Sequence, residues 1–266
     1  MHDATSDWTN RVERLAYRQR LEVFLPSRDG GAALVSAALG GVVTLEAVVQ
    51  AAADVAAYAD EALQIVTEEY RPTLACRKAC TYCCRKPGVL ISVAELLRIL
   101  DHVRQRFDEA QTAALRDRAH DYVVRVGDRN VNDGCVDSVP CPLLVDDLCS
   151  IYEVRPLVCR GYNSTDAEAC RRAHANPELL VPMFAVLKDV TDGATVGMAQ
   201  QLRDAGFTDT MVDLGTALHM ALEAGGSADD AIVRGEQDLS RAERQAWVSD
   251  LWTLVSEMAS RVGVAL

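Results

Sequence analysis

The chain has 266 residues, 49% of them hydrophobic and 25% charged, which is enough apolar material for a sizeable core and excludes wholesale disorder. Lys and Arg total 27 against 39 Asp and Glu, so the net charge of −12 argues against a nucleic-acid partner bound through its phosphates. The longest charge-free apolar stretch, residues 30–45, is interrupted by Gly40-Gly41 and falls short of the roughly 20 residues of a membrane span.

No basic or apolar signal region opens the chain, and a cytoplasmic location without membrane association is expected. Residues 9–25 are predicted to form a first helix, closed by Pro26 and an Asp29-Gly30-Gly31 turn. Residues 45–70 follow with apolar positions at Leu45, Val48, Ala52, Val55, Ala59, Ala62 and Val66. Those steps of three and four describe one narrow stripe, suited to packing in a bundle, and Pro72 stops the helix.

Ser92-Val93-Ala94-Glu95 has the capping-box pattern and opens a helix, and a further one is expected over residues 108–126. Residues 127–165, rich in Gly, Asn, Asp and Pro, read as loop with one small hairpin around Asp146-Asp147. Helical patterns return over 194–204 and 209–224. A second capping box, Ser240-Arg241-Ala242-Glu243, precedes a last helix with the stripe Trp247, Leu251, Leu254, Met258 and Val262. The expected fold class is mostly α, a single helical domain over 1–266: a bundle around an irregular cysteine-rich core at 73–172, with helical flanks 1–72 and 173–266. Strands alternating with helices are missing from the pattern, which excludes Rossmann and barrel folds.

Nine cysteines lie within 95 consecutive residues, with none in the 75 before or the 96 after. In a reducing compartment dense thiols bind metal or do redox chemistry more often than they form disulfides. Thiolates are strong ligands for zinc, iron and iron–sulfur clusters, and short spacings on irregular backbone let them converge on one point. Cys76, Cys80, Cys83 and Cys84 form one candidate group and Cys141, Cys149, Cys159 and Cys170 a second. Neighbours Cys83 and Cys84 point apart in most backbone conformations, so they serve two centres or one lies outside the ligand shell. Cys135 is the odd one out and reads as structural.

Five basic residues between Arg71 and Ile91, with no acidic one, and Arg155 and Arg160 near the later cysteines are expected to lower thiol pKa values. The later group sits in a segment with little to bury, where metal would supply folding energy. The histidines (His2, His102, His120, His174 and His219) form no HExxH or HxxxH pair, and His174, four residues after Cys170, reads as a surface residue.

Cys76-Arg-Lys-Ala-Cys80-Thr-Tyr-Cys83-Cys84 resembles the CxxxCxxCC signature of the zinc- or iron-chelating cysteine-cluster family. Cys141-Pro142-Leu143-Leu144, then Cys149-Ser150-Ile151-Tyr152 through Arg155-Pro156 to Cys159-Arg160, resembles that family's second block, in the same order. The resemblance implies metal binding through the cysteines. One branch of the family comprises flagellin lysine N-methylases, and this implies S-adenosylmethionine and an iron–sulfur centre as an alternative. The triplet Cys76, Cys80, Cys83 also fits the CxxxCxxC of radical S-adenosylmethionine enzymes, whose repeating strand–helix units are missing here. The expected function is therefore a metal-binding protein carrying an iron–sulfur cluster or iron, with redox or transfer chemistry and a protein partner or substrate. A structural zinc module for protein interaction and a lysine N-methylase are the alternatives. Whether it is an enzyme, and its oligomeric state, stay open at this point.

Overall fold

The computed structural model describes residues 4–127, 138–176, 179–207, 210–225, 228–233, 239, 242 and 246–265. The mostly α expectation holds: among the described residues there are ten helices and two small antiparallel strand pairs. In chain order they are α1 (Ala4–Leu39), α2 (Leu45–Tyr70), β1 (Leu90–Ser92), α3 (Val93–Arg106), α4 (Glu109–Val126), β2 (Leu144–Val145) and β3 (Leu148–Cys149). Then come α5 (Leu157–Gly161), α6 (Ala167–Ala175), α7 (Ala185–Asp204), β4 (Met211–Asp213), α8 (Leu214–Ala224), α9 (Ala228–Val233) and α10 (Ala246–Val262).

The predicted break at Pro26 and Gly30-Gly31 does not occur, and α1 runs through all three. Tertiary packing overrides the local signal. Tyr58 of α2 donates to the Pro26 carbonyl at 3.1 Å. Glycines on α7 let α1 approach closely: a Cβ on Gly197 would lie 1.9 Å from the Arg28 carbonyl oxygen, and one on Gly193 2.4 Å from that of Phe24. Within this pair Arg20 forks onto the buried Asp189 with bonds of 2.8 and 2.7 Å. The helix α7 begins nine residues before its predicted start. Its first turns bury Asp189, Thr191 and Asp192 among other helices, so they show no amphipathic period.

The stripe on α2 is buried nearly as read, with Ala51 and Ala56 added. Arg71 ends that helix in the left-handed region at φ 47°, just before Pro72. On α10 the buried positions are Val255, Met258, Ala259 and Val262, while Leu254 is exposed, so the stripe lies one position beyond the predicted one there. The second capping box falls outside the described residues apart from Ala242.

The strands β1 and β4 pair antiparallel, with Ile91 opposite Val212, and each leads directly into a helix. Ser92 caps α3 with both capping-box bonds formed, and Asp213 caps α8. This short sheet was not predicted; strands of three residues carry too little alternation to read. The main core joins α1, α2, α3, α4, α7 and α8, and Leu143, Ile151 and Leu157 of the cysteine-bearing segment enter it, each 1% exposed. No helix among the described residues is long and apolar enough to cross a membrane.

Candidate metal centre

After α2 the chain runs without regular structure, apart from a single 3-10 turn at Cys83–Arg85. The Cys80 N–H donates to the Arg77 carbonyl at 3.0 Å, closing a turn in which Ala79 has φ 62°. An alanine rarely adopts that left-handed geometry, so the surroundings hold it there. Two backbone bonds tie this stretch to later ones: Ala75 N–H to Ser164 O and Cys141 N–H to Cys84 O, both 2.8 Å.

The predicted hairpin is present. Asp146 and Asp147 take φ 49° and 58°, the left-handed pair that a tight two-residue turn requires, and Leu144 stands opposite Cys149. Arg85 reaches across to Asp147 at 2.5 Å.

Cys159 rides on α5, and buried polar groups fix that short helix from two sides. Leu157 N–H donates to Glu95 Oε1 at 2.7 Å while Ser92 N–H donates to Oε2 at 3.0 Å, so one buried carboxylate serves both the capping box and α5. Arg160, its side chain 3% exposed, donates to the carbonyls of Arg155 at 2.8 Å and Glu153 at 2.9 Å. The same guanidinium pairs with Asp60 of α2. Gly161 packs against Thr191 of α7, where a Cβ would clash. Cys170 sits on α6, capped by Asp166, and the His174 ring lies 5.8 Å from that of Tyr82.

These elements bring the two cysteine groups together. Cys76, Cys80, Cys83, Cys84, Cys141, Cys149, Cys159 and Cys170 are all free thiols. Cys135 lies outside the described residues. Ionisation of Cys76 is opposed by burial and then by Cys80, Cys83 and Cys170. Ionisation of Cys159 is opposed by burial and then by Cys141, Cys83 and Cys149, which pushes it well above the ordinary thiol value. Burial first, with Cys149, Asp213 and Cys83 adding, pushes Cys141 up to about 12. Cys83 is raised by its bond to the Cys84 thiol and by burial. Its charge acts on Cys76 as well as on Cys141 and Cys159, so it stands between the two neighbourhoods.

The basic residues do not lower these thiols as expected. Arg160 is committed to Asp60 and two carbonyls, and Arg85 to Asp147. Arg155 pulls Cys149 down, but burial outweighs it and the net shift is upward. Cys159 is exposed as a residue, while its thiol is strongly desolvated.

Among the described residues, no three Cys, His, Asp or Glu side chains already converge on a single metal-sized point. The sulfurs are gathered, but not closed into a shell. The donor chemistry suits zinc or iron: soft sulfur ligands carried largely on irregular backbone. From sequence Glu95 reads only as a capping residue, and nothing marks Asp60. Their contacts with α5 depend on partners 62 and 100 positions away, and no sequence spacing signals them. The buried Tyr122, which donates to Asp213 at 2.9 Å and accepts from Gly88 N–H at 3.1 Å beside Cys141, was equally hidden.

Residues 75–177 match a family model described as "CxxCxxCC: Putative zinc- or iron-chelating domain". Comparison with curated proteins and with solved structures gives no match.

Proposed function

We propose, taking as premise that residues 75–177 belong to this chelating family, that the protein holds iron, as an iron–sulfur cluster or as iron ions, on its clustered cysteines. The observation that carries the reading is the gathering of eight free thiols from three separated stretches, with none spent in a disulfide. Two adjoining four-sulfur sets account for their grouping: Cys76, Cys80, Cys83 and Cys170 in one, Cys84, Cys141, Cys149 and Cys159 in the other. Cys83 and Cys84, adjacent in the chain and with their thiols hydrogen-bonded rather than pointing apart, stand where the two sets adjoin. Side-chain rotation closes each shell.

An iron–sulfur centre, when bound, supplies one-electron chemistry. The chain's own part is positional. Glu95 and Arg160 fix the backbone around Cys159, and the Cys84–Cys141 backbone bond holds the first and second stretches in register. The raised thiols keep their protons at neutral pH until a cation replaces them, so loading releases protons.

Cys76, Cys83 and Cys159 are exposed residues at the edge of the cluster, which favours a reactive centre over a sealed one, because structural zinc sites are closed shells. Leu143, Ile151 and Leu157 also anchor the segment in the core, so metal is not its sole source of order. A structural zinc module is the second reading, favoured by the two-residue strands around Cys149, which bury little by themselves. The methyl-transfer reading rests on resemblance alone. Free thiols suit a reducing compartment such as the cytoplasm.

Anaerobic purification followed by metal and acid-labile sulfide analysis tests the proposal. Protein containing bound iron is the expected result, coloured and with an equal amount of sulfide where the iron is a cluster and without sulfide where it is held as ions. Colourless protein with stoichiometric zinc transfers the assignment to the structural reading, and protein that takes up neither metal overturns both.

A further inference from the structure

Away from the cysteines, α4 and α8 pack side by side, and each presents a histidine at their junction. The rings of His120 and His219 lie with centroids 5.4 Å apart and planes inclined at 58°. His219 Nδ1 is buried without a hydrogen-bond partner, the one such side-chain atom among the described residues. One turn along both helices, Arg116 and Glu223 form a loose pair at 3.9 Å.

A buried, unpaired imidazole nitrogen costs free energy and calls for a bound group that satisfies it. Two imidazoles sharing one tetrahedral ion at a bond length of about 2.1 Å have ring centroids about 5 Å apart. That matches the observed separation. An ordinary ring contact has a similar spacing, but it leaves the orphaned nitrogen unexplained.

We propose that His120 and His219 form a second metal site, joining α4 to α8 and taking a borderline divalent cation such as Zn²⁺ or Ni²⁺. Imidazole is the natural ligand for these ions, and water completes the shell, since no third Cys, His, Asp or Glu among the described residues joins the pair. The site is chemically distinct from the thiol cluster and requires no cysteine. It stands whether or not the cysteines hold iron.

Titration of the purified full chain with Ni²⁺, followed through paramagnetic broadening of the imidazole proton signals so that uptake by the thiols is not counted, tests it. His120 is exposed, so His120→Ala leaves the packing of α8 intact. That variant is expected to weaken Ni²⁺ binding about tenfold or more and to abolish the broadening of His219, with His219→Gln giving the same loss. Cys159→Ser is expected to leave the broadening of both imidazoles unchanged. Broadening of His219 that persists in His120→Ala at the same Ni²⁺ concentration as in the wild type overturns the assignment, as does loss of the broadening in Cys159→Ser.

Discussion

Where α1 crosses α7, the backbones come so near that a side chain on Gly197 would collide with the Arg28 carbonyl; where the cysteine-bearing stretches meet, two-residue strands and single hydrogen bonds join them. The helical frame draws its stability from area buried along whole helices. The cysteine region draws on a few anchors, Leu143, Ile151 and Leu157, and on isolated polar ties whose donors and acceptors come from distant segments. A frame of the first kind is insensitive to what binds elsewhere. A site of the second kind keeps its groups near one another without locking them, and gains order when a ligand arrives.

The largest effect is expected at the frame. Gly197→Val forces two helices apart and should cost about 3–5 kcal/mol in urea unfolding, by the same amount with metal loaded or removed. A difference between the two states would show that the frame and the cysteine region are coupled more tightly than the packing implies.

The next lies at Glu95. Glu95→Ala leaves the buried Ser92 and Leu157 N–H groups without acceptors, a loss of about 2–4 kcal/mol, and displaces the backbone that carries Cys159. Metal affinity should fall about 10–100-fold, as when an outer-shell partner is removed, and Glu95→Gln should recover much of it because one carbonyl oxygen remains. Recovery of stability without recovery of affinity would separate the two roles.

A third prediction concerns alkaline pH. The Cys141 thiol is raised from 9.0 to about 12 in the fold, and a group raised on folding contributes stability below its unfolded value and loses it as pH rises through the folded one. Metal-free protein should therefore lose stability as pH rises from about 9 to 10, about 1 kcal/mol of it from Cys141, and Cys141→Ser should lack that component. Metal-loaded protein should respond in the opposite sense, holding its ligands at alkaline pH and releasing metal as acid protonates the thiolates. Urea midpoints across a pH series, with and without metal, make the comparison.

The smallest effect is expected at Asp60. It is half exposed, so Asp60→Asn should cost about 0.5–1 kcal/mol in urea unfolding while Arg160 keeps its two carbonyl acceptors.

The same contrast explains what sequence made legible. The helix α2 was readable because one repeating stripe faces one core, and the capping box at Ser92 was readable because both of its bonds are local. Pro26 and Gly30-Gly31 looked like stops. In the structure the glycines are contact points, Gly30 against Tyr58 and Gly31 against Ala194, and sequence does not show which helix lies opposite. The buried Asp189 and Thr191 hid the start of α7 for the same reason. In the cysteine region the spacing pointed to the eight thiols, and in the structure thiols of both groups lie within electrostatic reach of one another. It could not reveal that Arg160 and Arg85 are spent on carboxylates, and so it assigned the cations to the sulfurs.

X-ray absorption at the metal edge of the loaded protein tests the central claim most directly. The account predicts a first shell made of sulfur at about 2.3 Å, diminished when Cys159 or Cys83 is replaced by serine. A shell dominated by nitrogen and oxygen, unchanged by those replacements, would contradict it.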